Sequence, residues 1–465
     1  MQSSTAARAL STAQVAKLAG VHRDTLLRWL RDGLVQEPHR DRRGWRIFNE
    51  HEASVIAQFA RSESVQQAAL LPELDKLDAI DWNFTDAKTT YLTHGLHPYP
   101  AKFIPQIPNA LIQALSSVGE TVADIFCGSG TTLVEALALK RDTVGVDANP
   151  LACLISQAKT TWLQNGDAEI LNELVSRACG LADSLTDEKQ YALFNGNGLP
   201  FTAKPPENKA IAFWFEPFVA EELAEISSWC RQLPTPSSTT VALAAFSSII
   251  VSVSRQDSDT RYVRREKNLR RGYALRRFAR ALQDASASAQ QFTEIVEPRF
   301  TCRVHHANLL DQPDIGPVHL VVCSPPYPNA YSYHLYHMTR MIWLGMDPLA
   351  FKKIEIGSHR KYSRKGPKRA GVETFKEELR VIFAWLGKHL RPNRYACFVV
   401  GNSILDGKQV DNAELLSDVA REARFIEVKR IHRQLQENRK AFNPAYGKIK
   451  TEHILILQNQ QGGNE

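Results

Sequence analysis

"DIFCGSGTTLVEAL", residues 124–137, is the stretch on which the reading of this chain turns. An apolar run ends in Gly-Ser-Gly, and a helix-like pattern follows. Val122 to Phe126 reads as a short strand, and Thr131 to Leu139 as an amphipathic helix. Gly128 and Gly130 permit a tight turn and a close approach of backbone to a ligand. A second short strand, "TVGVDAN" (143–149), carries Asp147 at its end. That acid lies roughly 20 residues past the turn, where a Rossmann-like unit binds ribose hydroxyls.

The spacing departs from the dinucleotide fingerprint, because no third glycine opens the helix. Asp124, inside the first strand, suits a cationic ligand better than a phosphate. S-adenosyl-L-methionine carries an amino group and a sulfonium centre and fits that description. Asp124, Phe126, Gly128, Gly130, Thr131, Asp147 and Asn149 are the candidate cofactor contacts. The bare alternative is a strand-to-helix connection that holds nothing.

A second motif lies at 319–338, "HLVVCSPPYPNAYSYHLYHM". Leu320 to Cys323 is predicted to be a buried strand. Ser324-Pro325-Pro326-Tyr327 follows at its carboxyl end, where open α/β sheets bind ligands. The prolines stiffen the loop. With the Gly-rich turn, this loop resembles that of the amino-methyltransferases of DNA, the N4-cytosine and N6-adenine enzymes. The resemblance covers roughly residues 91–160 and 300–460. It implies an α/β, Rossmann-like methyltransferase with a mostly parallel seven-stranded sheet and a reversed last strand. It also implies methyl transfer from S-adenosyl-L-methionine to the exocyclic amine of a base flipped out of double-stranded DNA.

The chemistry accounts for the residue types. An exocyclic amine is a weak nucleophile, because its lone pair is delocalised into the ring. Ser324 and the Pro325 carbonyl can accept hydrogen bonds from its N–H groups, while Pro326 stiffens the loop and Tyr327 offers a ring for stacking. Catalysis then rests on positioning and on hydrogen bonds that strengthen as charge develops. No metal is required. Within the family, serine at the first loop position suggests N4-cytosine, and Asn or Asp suggests N6-adenine. Cys323 precedes the loop and reads as core, not as the nucleophile of a carbon-5 enzyme.

Upstream, "HGLHPYPAKFIPQIPNALI" (94–112) resembles the segment that closes over the methionine end of the cofactor, with Lys102 and Phe103 as its contacts. A packing strap is the alternative. Relatives commonly carry an Asp near residues 305–308 for the adenine; here Asn308 is the substitute candidate.

Residues 10–60 read as a separate unit. "STAQVAKLAGV" (11–21) and "HRDTLLRWLRDG" (22–33) form a helix-turn-helix pattern, with Ser11 as N-cap and Val15, Ala16, Leu18, Leu26, Leu27 and Leu30 as apolar positions. "HRDRRGWRIFN" (39–49) adds a basic wing. This resembles the MerR family DNA-binding domain. Arg23, Thr25 and Arg28 would face a groove and its phosphates, and Arg40, Arg43 and Arg46 would sit on the wing.

The chain has 465 residues and a net charge of +7. That excess concentrates in two stretches. "SRQDSDTRYVRREKNLRRGYALRRFARAL" (254–282) includes Arg264, Arg265, Arg270 and Arg271, opposed within it only by Asp257, Asp259 and Glu266. "KKIEIGSHRKYSRKGPKR" (352–369) includes Arg360 and Lys361. Both suit phosphate binding, which would be salt-dependent. The expected domains are a helix-turn-helix unit (1–60), a linker (61–90), the first methyltransferase part (91–164), a helical insertion for target recognition (165–300) and the second methyltransferase part (301–465).

Seven scattered cysteines, none in a Cys-x-x-Cys pair, suggest neither a zinc site nor a disulfide framework. No run reaches membrane-spanning length, so the expectation is a cytoplasmic protein. It would act as monomer or homodimer, with cognate restriction or defence proteins as possible partners. Two rival functions stay open: an RNA methyltransferase, and a DNA-binding regulator with an inactive methyltransferase domain.

Overall fold

The computed structural model describes residues 10–19, 23–31, 35–41, 45–60, 72–100, 102–186, 201–259, 261–328, 331–363, 370–405, 408–434 and 451–461. The chain divides into two compact units, Met1–Ala79 and Ile80–Glu465.

In the smaller unit, helices Thr12–Ala19, Arg23–Arg31 and Glu50–Ala60 accompany a small sheet of Leu10–Ser11, Arg46–Phe48 and His39–Arg40. Two reciprocal capping boxes start the helices Thr12–Ala19 and Glu50–Ala60. Ser11 Oγ accepts from Gln14 N (3.4 Å), while Gln14 Oε1 accepts from Ser11 N (2.9 Å). Asn49 and Glu52 repeat the exchange at 2.8 Å each way. Val15, Ala16, Leu26, Trp29, Leu30, Phe48 and Ile56 form the core. Leu18, expected on the apolar face of helix Thr12–Ala19, is exposed; on helix Arg23–Arg31 Trp29, three residues after Leu26, joins the core.

The larger unit is built on one seven-stranded sheet. We label its strands β1 (Thr121–Asp124), β2 (Asp142–Asp147), β3 (Cys302–His306), β4 (Val318–Cys323), β5 (Leu390–Gly401), β6 (Phe425–Gln434) and β7 (Thr451–Asn459). Their order is β6-β7-β5-β4-β1-β2-β3. Strands β3, β2, β1, β4 and β5 pair in parallel, and β7 is antiparallel to both its neighbours. This is the Rossmann-like α/β sheet with a reversed last strand that the sequence leads one to expect. Helices Val372–His389 and Asn412–Glu422 cover one face, packing Phe375, Leu379, Phe383 and Leu416 on Ala123, Val144, Val321 and Phe398. Strand alternation sends Val122, Leu320, Val322 and Cys397 to the opposite side.

Residues 80–90, read as linker, belong to this unit. Trp82 O accepts from Arg433 Nε (3.0 Å) and Asn83 Oδ1 from Gln434 N (2.8 Å), which ties the stretch to β6. Residues 61–71 of that linker lie outside the described residues.

Between β2 and β3 the chain forms helices Asp167–Thr186, Lys209–Trp214, Pro217–Arg231, Pro236–Ile249 and Tyr273–Ile295. Leu171, Leu223, Phe246 and Phe278 lie in their shared core, which continues into Met341, Trp343 and Phe351 beyond β4. The buried Glu222 carboxylate accepts from Gly272 N (2.6 Å) and Ala274 N (3.0 Å), an acid held at the start of helix Tyr273–Ile295. The bundle is interrupted by a β-hairpin, Gln256–Ser258 with Arg261–Arg264, that the basic composition did not foretell. Among the described residues no helix is long and apolar enough to cross a membrane.

Candidate functional site

The turn after β1 adopts the left-handed backbone at both glycines, φ +48° at Gly128 and +74° at Gly130. A Cβ on Gly130 would lie 2.9 Å from Ser156 Cα, so no side chain fits there. Strand β1 ends at Asp124, earlier than the Phe126 expected, because Cys127 N already turns to reach Val146 O (3.0 Å).

Asp147 closes the turn from β2. Its Oδ2 accepts from Gly128 N and its Oδ1 from Asn149 N, each at 2.8 Å. Ser156 Oγ donates to Gly128 O (2.9 Å). Burial raises the Asp147 carboxyl to about 6, against the pull of the Asn149 and Gly128 amides. Burial also raises Asp124 to about 7, opposed by the Thr132 hydroxyl and the Phe126 amide. Thr131 Oγ1, buried at the first helical position, has no hydrogen-bond partner among the described residues. Positive-φ glycines, an acid at the turn and an orphan hydroxyl together suit a ligand with hydroxyl and cationic groups.

Asn308 follows β3 and uses its Oδ1 to accept from Leu310 N (3.2 Å). Its neighbour Ala307 donates to Asp147 O (3.0 Å), so Asn308 stands beside the end of β2. Lys102 points elsewhere than expected of a turn contact: its ammonium bonds His94 O and sits beside the buried Lys159. Phe103 is partly buried next to it. Tyr99, which sequence reasoning did not single out, is the residue of this segment that reaches the turn. Its Cε1 would lie 3.5 Å from a Cβ on Gly128, and its phenol is beside Asn149. The segment is held by Glu135, whose buried carboxylate accepts from Tyr91 Oη and Asn109 Nδ2 and pairs with His94 Nε2, each at 2.6 Å.

The Ser-Pro-Pro-Tyr loop leaves the carboxyl end of β4, next to β1 in the sheet, where Leu320 pairs with Val122. Ser324 Oγ and Tyr327 Oη both donate to Val399 O on β5, at 3.1 and 3.2 Å. Pro325 is buried and Pro326 half-buried. Gly357, at φ +72°, packs so closely on the loop that a Cβ there would stand 2.7 Å from Tyr327 O. Beyond the loop, Tyr333 stacks on Tyr99 with ring centres 5.8 Å apart, and His337 does so at 5.0 Å. This ring column joins the Gly-rich turn to the helix after the Ser-Pro-Pro-Tyr loop. Cys323 is fully buried in β4, and burial pushes its thiol well up.

The predicted phosphate contacts divide. Arg264 pairs with Glu266 (3.0 Å) and Arg265 with Asp257 (3.4 Å), both at the surface. Arg271 is drawn to Glu221 (3.3 Å) and lies over Phe218. Arg270 and Arg360 are exposed. Lys361 pairs with Glu378, which is mostly buried. In the smaller unit Arg23 is exposed, while Arg40 and Arg46 share Glu37 at 2.7 and 2.9 Å. Of Thr25 and Arg28 only the backbone is described, and Arg43 lies outside the described residues.

Residues 32–158 match the family described as DNA methylase, and residues 11–48 match the MerR family regulatory proteins. The first match holds the turn and Asp147; the Ser324–Tyr327 loop lies beyond it. Type II methyltransferase M.MvaI of Kocuria varians is 32% identical over 174 residues, 37% of this chain and 36% of that protein. M.MjaII of Methanocaldococcus jannaschii is 33% identical over 118 residues, 24% of this chain and 21% of that protein. M.MjaI of the same organism is 45% identical over 75 residues, 16% of this chain and 24% of that protein. The chain thus spans between 21% and 36% of the length of these relatives. The solved rRNA methyltransferase aviRa of Streptomyces viridochromogenes is 10% identical and overlays at a TM-score of 0.29, over 78% of this chain and 89% of that one; the overlay is too loose to add to the strand order. By its sequence matches, the chain carries a segment similar to DNA methylases and an N-terminal segment similar to MerR family regulatory proteins.

Proposed function

We propose that this chain transfers a methyl group from S-adenosyl-L-methionine to the exocyclic amine of a flipped base in double-stranded DNA, with cytosine N4 as the target. The carrying observation is the adjacency of β1 and β4. It sets the Gly128–Gly130 turn and the Ser324–Tyr327 loop side by side at the carboxyl edge of the sheet. The cofactor supplies an electrophilic methyl group on a sulfonium when bound. Asp147 and the turn backbone, with Thr131 and Asn149, are the residues that would hold it, with Asn308 as the candidate contact to its adenine.

Ser324 gives its own proton to Val399 O, which leaves its lone pairs to accept from the substrate amine. The Pro325 carbonyl takes the second N–H. Together they favour a pyramidal nitrogen with its lone pair aimed at the methyl group. Tyr327 is held through its hydroxyl on the same Val399 carbonyl, so its ring is a fixed stacking surface. The chemistry asked of the protein is positioning plus acceptors that strengthen as the amine gains charge.

The relatives' role as type II methyltransferases supports a place in restriction-modification or phage defence. The MerR-like segment supports DNA contact, at the methylation site or at an operator. Adenine N6 is the second reading, because the loop chemistry serves either amine.

The test is to incubate the protein with methyl-labelled S-adenosyl-L-methionine and unmethylated genomic DNA, digest to nucleosides and identify the product by mass spectrometry. N4-methylcytosine is expected. N6-methyladenine would keep the mechanism and overturn the base. No methylated nucleoside, with DNA binding retained, would favour a regulator.

A further inference from the structure

Within the insertion, the hairpin Gln256–Ser258 with Arg261–Arg264 is tied directly to the segment that follows the Ser-Pro-Pro-Tyr loop. Its second strand packs on helix Tyr333–Tyr336. Tyr262 lies against Trp214, ring centres 4.8 Å apart, and donates to Met338 Sδ (3.6 Å). Thr339 Oγ1 reaches Gln256 Oε1 (3.4 Å). The fully buried Arg340 clamps Asp259 and donates from Nε to Ser247 O (3.0 Å). These ties fix the hairpin on residues 333–340, the segment that follows the Ser-Pro-Pro-Tyr loop.

Strand alternation turns Tyr262 inward and its neighbours outward. Val263 is 53% exposed, and the side chains of Arg261 and Arg265 on either side of it are 63% and 74% exposed. Both arginines share one acid, Asp257, at 3.5 and 3.4 Å. The outward strand is therefore an apolar side chain between two under-neutralised guanidinium groups. That composition is costly toward water but complementary to a nucleic-acid duplex, which offers phosphates on its outside and an apolar base stack within. Proteins that open DNA insert such apolar wedges between base steps. Extruding a base also leaves a gap in the stack that something must fill or the base returns.

We propose that this hairpin is the strand-opening element of the enzyme: Val263 enters the base stack beside the target nucleotide while Arg261 and Arg265 hold the flanking phosphates. This rests on the reading of the chain as a base-flipping methyltransferase. The ties at Met338, Thr339 and Arg340 then couple opening of the duplex to the loop that receives the base.

The test begins with the wild-type protein and unmethylated genomic DNA, from which sequencing maps the methylated base. Two synthetic duplexes follow, one with that base paired and one with it mispaired. Val263→Ala is expected to lose about tenfold in turnover on the paired duplex but under about twofold on the mispaired one, since a mispaired base leaves the stack without help. Val263→Leu should keep both activities, and cofactor affinity should be unchanged in each variant. Equal loss on both duplexes would make Val263 a structural residue and overturn the proposal. Unchanged turnover on both would do the same. If the wild type methylates no base at all, the methyltransferase reading falls and the hairpin's role falls with it. Normal wild-type methylation with an indifferent hairpin removes this proposal alone.

Discussion

The turn after β1 closes on itself at short range. Gly128 meets Asp147 19 positions on, and Ser156 returns to Gly128 O across 28. Three arginines of the basic stretch from Arg255 to Arg280 are tied at long range. Arg255 reaches Glu216 39 positions back, Arg271 reaches Glu221 50 back, and Arg276 reaches Asp183 93 back. The first region is an arrangement that a few consecutive residues specify. The second takes part of its charge compensation from helices elsewhere in the chain, at Arg255, Arg271 and Arg276, and part from near neighbours, where Asp257 pairs with Arg261 and Arg265 and Glu266 with Arg264. A cation count along the sequence therefore overstates how much charge the folded surface offers a phosphate, whereas a Gly-Ser-Gly followed by an acid keeps its meaning.

The comparison breaks if the loop chemistry depends on the insertion more than on its own acceptors. Ser324→Ala removes the hydroxyl that would meet the substrate amine and also releases Val399 O. Methyl transfer should fall by at least about a hundredfold, the scale of losing one such hydrogen-bonding group. Cofactor affinity, read by titration calorimetry, should not change, because Ser324 belongs to β4's loop and not to the turn. Unchanged turnover would remove Ser324 from the chemistry.

A second substitution probes the short-range closure. Gly130→Ala places a Cβ 2.9 Å from Ser156 Cα at a φ of +74°, a clash with backbone that no rotamer relieves. Gly128→Ala meets the Tyr99 ring at 3.5 Å and Phe126 O at 3.9 Å, both ordinary contacts. Gly130→Ala should cost about 1–3 kcal/mol of stability, the range for a strained backbone position, and should weaken the cofactor. Gly128→Ala should cost less. A reversed order in thermal melts would mean that Ser156 and its helix can shift aside.

What the sequence made legible follows the same division. Asp147, Gly128, Gly130 and Ser324 could be picked out because turn chemistry and strand ends are local. Tyr99 could not, though it lies in a quoted stretch, because only the fold brings it onto Gly128 and under Tyr333. The hairpin escaped notice because strands of three and four residues are too short for alternation to register. Leu18 was misassigned because helical spacing alone does not say which side of a narrow stripe faces inward. Lys361 looked like surface charge, since its partner Glu378 stands 17 positions later on another helix.

Acidity offers a milder test of the turn. Burial raises Asp147 to about 6 and Asp124 to about 7, so ionisation is disfavoured in the folded protein. Their contribution to stability is therefore greatest in acid and is lost as pH rises through 6 to 7. A ligand with cationic and hydroxyl groups prefers the ionised form and offsets that loss. The melting shift produced by S-adenosyl-L-methionine should grow from pH 5.5 to 7.5, by at most about tenfold in affinity per pH unit for each group. Asp147→Asn should flatten the rise. A pH-independent shift would mean that neither carboxylate meets the ligand in its charged form.

The smallest effect separates the two kinds of cation. Arg265 is three-quarters exposed, with Asp257 at 3.4 Å, and an exposed pair of that length holds its side chain only weakly. Lys361 is mostly covered and answers Glu378, whose carboxyl burial raises and Lys361 lowers. If DNA lies along the outward face of the hairpin, Arg265→Ala should reduce the slope of log affinity against log salt by about 0.9, with melting unchanged. Lys361→Ala should leave the slope alone and lower the melting temperature, because it strands a buried carboxylate without its partner. The pair of variants measured together is more telling than either alone. An equal loss of salt slope in both would place DNA along the Lys361 surface as well, and would show that long-range pairing does not withdraw a cation from phosphate.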